Sequence, residues 1–493
     1  MGTLPCTAYR EWVTTPLRYD LIIIGAGSGN TLIDERFDEF QVALVERGPL
    51  GGTCLNRGCI PSKMFVLPAD IATAARRGDV LGVPTQVGPA DWPMIRDRVM
   101  AKVDEHAAEG LQAREEADNV DVYRGTARFT GPLQLAVDAD GVIIEITADQ
   151  IVLATGTRPV VPDIPGLEEI DFETSDTIMR LETFPARLGI VGGGYVGSEL
   201  AHVFSAFGAE VVQVEDNDTL LGDQDSDIAR HFTAAARERW DVRLGCQMEK
   251  VSGQAGAPIT MHLADGSTVE VDVLLLAIGR EPNSDLLDLD LSEVTVDDHG
   301  RIVVDDHQHT TAAGVWALGD ASSDQPLKHV ANQDARVVQH NVLEALNRTD
   351  GDRPSQRTTD HRAVPQAVFT HPQIARVGLT EAEARDQYGD DVMVARHDVA
   401  DVAYGWALAG DLDGDAESRG FVKLVARRSS GRLVGAHVIG PMASVLVQPL
   451  VMAMAHDLPI AGLARSMYWI HPALTEVVEN ALVTLEARLD NGA

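Results

Sequence analysis

Residues 19–30 read YDLIIIGAGSGN, a short apolar run that leads directly into a cluster of glycines. The run is rich in β-branched side chains, which is typical of a buried parallel strand. Gly25, Gly27 and Gly29 follow it, and the first two match the leading positions of a G-x-G-x-x-G dinucleotide-binding turn. Such a turn opens a helix whose N-terminus attracts the phosphates. Because Asn30 stands at the third glycine position, the motif alone also fits a purely structural turn.

A carboxylate downstream strengthens the nucleotide interpretation. Glu46 ends the predicted strand 42–45, about twenty residues after the glycines, where such folds hold a ribose hydroxyl. Together, the turn and Glu46 predict a first dinucleotide site.

The same pattern recurs further along the chain, where the apolar run 188–191 precedes the sequence GGGYVG. All three motif glycines are present here, at Gly192, Gly194 and Gly197. This second strand–glycine–helix opening predicts a second dinucleotide site.

The residues after the next predicted strand, 210–214, bear on the choice of nicotinamide cofactor. That strand ends in Glu215 and Asp216, and the next arginine is Arg230. A carboxylate at this position accepts a hydrogen bond from a ribose 2′-hydroxyl and repels a 2′-phosphate. The second site is therefore predicted to prefer NADH over NADPH.

Two of the four cysteines, Cys54 and Cys59, stand five positions apart in residues 51–63, GGTCLNRGCIPSK. In an ideal helix such a pair is separated by about 7.5 Å of rise, whereas a disulfide tolerates Cα separations up to about 7 Å. A bridge therefore requires a distorted helix, which Gly58 is well placed to permit, and a distorted bridge is easier to reduce. Two buried, inert cysteines are the alternative. A zinc site is disfavoured because no second Cys or His pair stands nearby at ligand spacing.

Composition restricts the possible partners. The 493 residues are 45% hydrophobic, and no stretch approaches the roughly 20 apolar residues of a membrane span. A formal charge of −35 disfavours nucleic acid and anionic membranes as partners. With few cysteines and no signal-peptide pattern at the start, a cytoplasmic protein is expected. The acidic, lysine-poor composition fits either a salt-rich cytosol or a GC-rich genome.

Residues 51–63 resemble the signature of the class I pyridine nucleotide–disulfide oxidoreductases, which include glutathione and lipoamide reductases. The resemblance covers nearly the whole chain after residue 17, although Arg57 replaces a usual valine. Further matching segments are Ala154-Thr155-Gly156, Gly279-Arg280, Leu318-Gly319-Asp320 and His471-Pro472 with Glu476. The resemblance implies an α/β flavoenzyme with two Rossmann-like dinucleotide-binding domains, for FAD and NAD(P), and a C-terminal α+β dimerisation domain.

The family's organisation implies domain boundaries for this chain. An N-terminal extension (1–17) is expected to precede a discontinuous FAD-binding domain (18–160 and 283–355). The NAD(P)-binding domain is expected over 161–282 and the dimerisation domain over 361–493. A polar, proline-containing segment over 347–361 is the predicted linker.

The family's mechanism implies a role for each matching catalytic residue. Cys59 is expected to be the flavin-side sulfur of a redox disulfide, and Cys54 the interchange thiol that attacks a small disulfide substrate. His471 is expected to act as general acid/base, with Glu476 fixing its tautomer. The family supplies this pair from the partner subunit, which implies a homodimer. Without the resemblance, a lone histidine before a proline is more often structural.

Other matching residues are expected to lie around the cofactors. Lys63 and Glu199 match a lysine–glutamate pair near the flavin, and Tyr195 matches the tyrosine that gates the nicotinamide pocket in glutathione reductases. Asp320 falls where the family binds the FAD ribityl chain. The remaining residues expected to bind a cofactor are Gly25, Gly27, Gly29, Glu46, Gly52, Thr53, Thr155, Gly156, Gly192, Gly194, Gly197, Glu215, Gly279, Arg280 and Gly319.

Within the family, dispersed segments resemble the mycothione reductases, including 25–30, 63–66, 328–332, 401–408 and 469–482. A reductase of a low-molecular-weight disulfide is therefore expected, with mycothione as its substrate. Bis-γ-glutamylcystine reductase and dihydrolipoamide dehydrogenase, a subunit of 2-oxoacid dehydrogenase complexes, remain alternatives. Glu215 conflicts with the NADPH preference expected of mycothione reductases, and the local charge argument favours NADH.

Overall fold

The computed structural model describes residues 16–347, 355–409 and 420–490. Most of the predicted N-terminal extension and residues 348–354 of the predicted linker lie outside the described residues. The first strand begins at Leu17, so the extension as predicted overlaps it by one residue. No helix in the described parts of the chain is long and apolar enough to cross a membrane.

The strands are β1 (Leu17–Ile24), β2 (Val42–Glu46), β3 (Val120–Arg124), β4 (Thr126–Gly131), β5 (Gln134–Ala139), β6 (Val142–Leu153), β7 (Thr157–Pro159), β8 (Glu173–Thr174), β9 (Arg187–Val191), β10 (Glu210–Val214), β11 (Asp241–Arg243), β12 (Met248–Ser252), β13 (Ile259–Leu263), β14 (Thr268–Val271), β15 (Val273–Leu276), β16 (Arg280–Pro282), β17 (Val315–Ala317), β18 (Pro365–Val368), β19 (Gln373–Gly378), β20 (Val392–Asp398), β21 (Phe421–Arg427) and β22 (Arg432–Gly440).

The α-helices are α1 (Gly52–Asn56), α2 (Cys59–Arg76), α3 (Trp92–Glu115), α4 (Tyr195–Phe207), α5 (Ser226–Arg237), α6 (Lys328–Leu346), α7 (Glu381–Tyr388), α8 (Ala403–Ala409), α9 (Ala443–Leu446), α10 (Gln448–Ala455) and α11 (Thr475–Asp490). This alternation confirms the predicted α/β class.

The chain forms two compact units, of which the first comprises the residues up to Cys59, Lys102–Arg158 and Arg280–Asp360. Its main sheet has the strand order β3-β2-β1-β6-β5-β4, and β17 also pairs with β6. β1, β2, β3, β6 and β17 pair in parallel, whereas β4 and β5 extend the sheet antiparallel. The parallel strands end at one edge, where ligands bind in open α/β sheets.

The predicted strand 19–24 is confirmed and buried on both faces of this sheet. Ile22 and Ile24 pack into one apolar cluster, whereas Leu21 and Ile23 pack into another. Successive side chains of a strand point to opposite faces, so that a continuous apolar run is what a doubly covered parallel strand requires.

The second unit comprises Ile60–Ala101, Pro159–Gly279 and the residues from His361 onward. One of its sheets is parallel with the order β11-β10-β9-β15-β8, which confirms the second predicted Rossmann-like opening. A three-stranded sheet, β12-β13-β14, is antiparallel. The expected separation of an NAD(P)-binding domain from a dimerisation domain stays a prediction.

The C-terminal part of the second unit is an antiparallel sheet with the order β18-β19-β22-β21-β20. Its apolar core combines strand residues such as Val422 and Val438 with Val478 and Leu482 of α11. Two short helices, α9 and α10, meet at Val447 beside this sheet.

The prediction of a helix directly after the first glycine turn is wrong. Two short 3-10 turns, Gly29–Leu32 and Glu35–Phe37, connect the turn to β2 instead. A contact that is remote in sequence stabilises this connection, because Arg114 of α3 donates hydrogen bonds to Asn30 and to the carbonyl of Ile33.

Candidate active site

The first glycine turn follows β1 at the carboxyl edge of the parallel sheet. Gly25 has φ +101°, and a Cβ there would lie 2.2 Å from the Ala154 carbonyl oxygen, so only glycine fits. A Cβ at Gly52 would lie 2.6 Å from the Cα of Gly27, so the two backbones approach each other closely only because both residues are glycine. Glycines of a dinucleotide-binding turn allow the pyrophosphate the same close approach to the backbone.

Glu46 lies beside this turn, at the end of β2. One carboxylate oxygen accepts a hydrogen bond from the Ala26 N–H at 2.8 Å, and the other accepts one from the Gly48 N–H at 2.8 Å. The structure therefore brings Glu46 and the glycine turn together in the arrangement that the sequence predicts.

The adjoining loops carry polar groups that suit a bound cofactor. The Thr155 hydroxyl is buried without a hydrogen-bond partner among the residues that the structure describes. Gly156 follows it at φ +62°, and Arg280 donates hydrogen bonds to the hydroxyl and carbonyl oxygens of Thr157, both at 2.9 Å. Burial raises the pKa of Asp320, while the charge of Arg280 acts in the opposite direction. A buried hydroxyl and a buried carboxyl fit a ligand rich in hydroxyl groups, as the FAD ribityl chain is.

The cysteine pair lies at a break between two helices. α1 ends at Asn56, Arg57 leaves the helical region at φ −156°, and α2 begins at Cys59. A Cβ at Gly58 would lie 2.9 Å from the Thr53 carbonyl oxygen, so that this position favours glycine. The helix distortion that a bridge requires is thus present, as predicted.

The two cysteines are thiols in this structure, and their side chains are hydrogen-bonded. The hydrogen bond to Cys59, followed by burial, raises the pKa of Cys54 far above its ordinary value. Cys54 is half-buried and Cys59 is exposed.

In the second unit, Lys63 of α2 and Glu199 of α4 form a close ion pair. The Lys63 Nζ lies 2.6 Å from Glu199 Oε2, and the Phe369 N–H donates to the other carboxylate oxygen at 2.9 Å. Only 6% of the Glu199 side chain is exposed, against 33% of the Lys63 side chain. The ammonium group also lies 4.9 Å from the centre of the Phe369 ring. These contacts fix the position of the ammonium group.

Sequence reasoning missed a second polar contact that joins the same two helices. His202, one turn after Glu199, is hydrogen-bonded through Nε2 to Asp70 of α2 at 2.9 Å. Arg239 donates to the other ring nitrogen at 2.9 Å, so the imidazole is neutral and its Nε2–H is the donor to Asp70. Burial lowers the pKa of His202, in agreement with that neutral form. Asp70 stands seven residues after Lys63, a helical repeat that places both on one face of α2. This spacing was the only sequence signal that Asp70 could also contact α4.

The second glycine turn has the same construction as the first. Glu215, which follows β10, accepts hydrogen bonds from the Gly193 N–H at 2.5 Å and the Asn217 N–H at 3.0 Å. Gly192 has φ +112°, and a Cβ at Gly197 would lie 2.3 Å from the Gly192 carbonyl oxygen, so helix α4 can begin only if both are glycine. Tyr195, 45% exposed, is the first residue of α4.

The C-terminal dyad lies in the loop before α11. The His471 Nδ1 and Glu476 Oε1 are 2.7 Å apart, and the Ala473 N–H donates to the other carboxylate oxygen at 3.1 Å. The hydrogen bond with His471 is the main cause that lowers the pKa of Glu476. The His471 side chain is 74% exposed, so its Nε2 is available to a group outside this chain.

Two family models together match most of the chain. Residues 19–336 match the pyridine nucleotide-disulphide oxidoreductase model, and residues 364–482 match the dimerisation domain of the same family. The chain therefore belongs to the pyridine nucleotide–disulfide oxidoreductases, and it is an oxidoreductase that uses FAD and NAD(P)H.

Relatives of nearly equal length narrow the class further. A mycothione reductase of Mycobacterium tuberculosis (strain H37Rv) is 46% identical over 475 residues, which are 95% of this chain and 99% of the relative. A dihydrolipoyl dehydrogenase of Haloferax volcanii is 34% identical over 94% of this chain and 96% of its own length. The solved structure of the HOCl-induced flavoprotein disulfide reductase RclA from Escherichia coli has a TM-score of 0.79 at 29% identity, covering 94% of this chain and 99% of that chain.

Proposed function

We propose that the protein is a homodimeric reductase of mycothione, a low-molecular-weight disulfide, and that it takes its electrons from NADH. The observation that carries the substrate is the 46% identity to a mycothione reductase over 95% of this chain. The matched dimerisation domain supports the homodimer.

Each paired group in the structure has a role in this proposal. FAD, when bound, supplies the two-electron relay between the nicotinamide and the cysteine pair. Lys63, held by Glu199, would supply the positive charge that the family places near reduced flavin. Cys54 attacks the substrate disulfide and displaces the first product thiolate, which leaves a mixed disulfide on Cys54. Cys59 then attacks the Cys54 sulfur, closes the Cys54–Cys59 bridge and releases the second product thiolate. His471 of the partner subunit gives its proton to the leaving thiolate, while Glu476 holds the imidazole in the required tautomer.

A panel of disulfides tests the substrate. Purified holoenzyme is assayed with mycothione, bis-γ-glutamylcystine, oxidised glutathione and lipoamide, each with NADH and with NADPH. We expect kcat/KM for mycothione to exceed the others by about 10-fold or more, because an enzyme that hydrogen-bonds its own substrate rejects analogues that lack those groups. A higher value for lipoamide would instead identify a dihydrolipoamide dehydrogenase, and a higher value for bis-γ-glutamylcystine would identify that reductase.

The environment of Glu215 supports NADH over NADPH. Its carboxylate lies at the end of β10 beside two further acidic residues, Asp216 and Asp218. The first arginine that follows, Arg230, forms an ion pair with Asp227, and the next at this edge, Arg243, donates to Asp241 at 2.8 Å. The local charge is therefore negative, which opposes a 2′-phosphate.

Replacing Glu215 by glutamine tests this assignment. We expect the ratio of kcat/KM for NADH to that for NADPH to fall by about 10-fold, because a charged hydrogen bond to the ribose is lost together with the repulsion of the 2′-phosphate. The matched control is Glu210→Gln at the exposed start of the same strand, which is expected to leave the ratio unchanged. An unaltered ratio in the Glu215 variant would remove this residue from cofactor selection.

A further inference from the structure

The connection after the first glycine turn lacks the usual source of positive charge for phosphates. A long α-helix offers several unpaired N–H groups and roughly half a positive charge at its N-terminus. Here a 3-10 turn of four residues, Gly29–Leu32, takes that place. Such a short turn has few aligned peptide dipoles, so that most of the charge facing a bound diphosphate must come from side chains.

Arg114 is not available for that task, because the turn itself uses it. Its guanidinium donates to the Asn30 side chain at 2.7 Å and to the carbonyl oxygens of Asn30 and Ile33 at 2.9 and 3.0 Å. Gln339 donates to the Leu32 carbonyl oxygen at 2.7 Å. These contacts satisfy the carbonyl groups that a continuous helix would have paired internally. Arg114 is thus directed at the carbonyl end of the turn.

Lys328 lies at the opposite end of the same turn. It is the first residue of α6, and its Nζ donates a hydrogen bond to the Ser28 hydroxyl at 2.9 Å, within the glycine turn. Its charge is also close enough to Asp320 to act on the ionisation of that carboxyl. Gly27, whose backbone approaches that of Gly52 closely, directly precedes Ser28 in the turn.

We propose that Lys328 binds the diphosphate of FAD and supplies the positive charge that a helix N-terminus provides in the usual glycine-turn site. The ligand is the cofactor that the family uses, and the new assignment is the lysine. Ser28 holds the ammonium group over the glycine turn, where an anionic oxygen can accept its remaining N–H bonds. The proposal is independent of which disulfide the enzyme reduces.

The test is the affinity for FAD, measured on diluted holoenzyme by the fluorescence of released flavin. Lys328→Met is expected to raise the dissociation constant about 10- to 100-fold, which corresponds to the loss of a hydrogen bond to a charged group. Lys328→Arg keeps the charge and is expected to stay within about threefold of the unmodified enzyme. Lys102→Met is the matched control, because this exposed lysine of α3 pairs only with Glu105 among the contacts described.

The salt dependence of FAD release is a second measurement, and it can be made on the unmodified enzyme even if the variant does not fold. FAD release from the unmodified enzyme is expected to increase with KCl concentration, and Lys328→Met is expected to flatten that dependence. An unchanged dissociation constant in Lys328→Met would overturn the proposal. If the flavin midpoint potential shifted while the affinity for FAD stayed unchanged, that result would place the ammonium group at the flavin ring instead of the diphosphate. Should Lys328→Met not fold, a salt-independent release from the unmodified enzyme would overturn it equally.

Discussion

Replacing Cys54 by serine is expected to lower kcat/KM for disulfide reduction by on the order of 10³-fold or more, because the proposed nucleophile is removed. The FAD content is expected to stay unchanged. Serine is similar in volume to cysteine, and Cys54 is half-buried with its thiol bonded to Cys59. The substitution is therefore expected to leave the fold unchanged.

An anaerobic titration with dithionite measures the same change directly. The unmodified enzyme is expected to take up about four electrons per flavin, two of them for the disulfide couple, and the variant only about two. Cys246→Ser is the control, because this cysteine is only 6% exposed and lies in the second unit. The replacement is expected to leave both the electron count and turnover unchanged. Full turnover by Cys54→Ser would disprove the proposed electron path.

Local patterns were sufficient for much of the fold. The run 19–24 and the motif 192–197 predict their strands and turns correctly, because a buried parallel strand and a tight glycine turn depend on neighbouring residues. The break between Cys54 and Cys59 follows from helix geometry once the two cysteines are assumed to form a bridge. These features need no information from distant parts of the chain.

Contacts between distant residues explain the failures. The short turns after Gly29 are bonded to Arg114, which is 84 positions beyond Asn30. Likewise, His202 and Asp70 are 132 positions apart, and only the folded chain shows that they join α2 to α4. For the candidate site, the resemblance named Lys63 and Glu199, but the backbone contact that fixes the glutamate could not be read from the sequence.

The second large effect is expected at the C-terminal dyad. His471→Ala should slow reoxidation of the reduced enzyme by mycothione about 10²- to 10⁴-fold, the range for losing a general acid/base. Reduction by NADH should change less than about twofold, since His471 takes no part in hydride transfer in the proposed mechanism. Stopped-flow measurements of flavin absorbance separate the two half-reactions.

Two further variants distinguish catalysis from structure. Glu476→Gln keeps a hydrogen-bond acceptor for His471 Nδ1 but removes the negative charge that stabilises the imidazolium, so an intermediate loss of about 10-fold is expected. His456→Ala, at an exposed histidine after α10, is the control and should leave both half-reactions unchanged. If His471→Ala reoxidised at the unmodified rate, the exposed imidazole would have no part in proton transfer, and its contact with Glu476 would be structural.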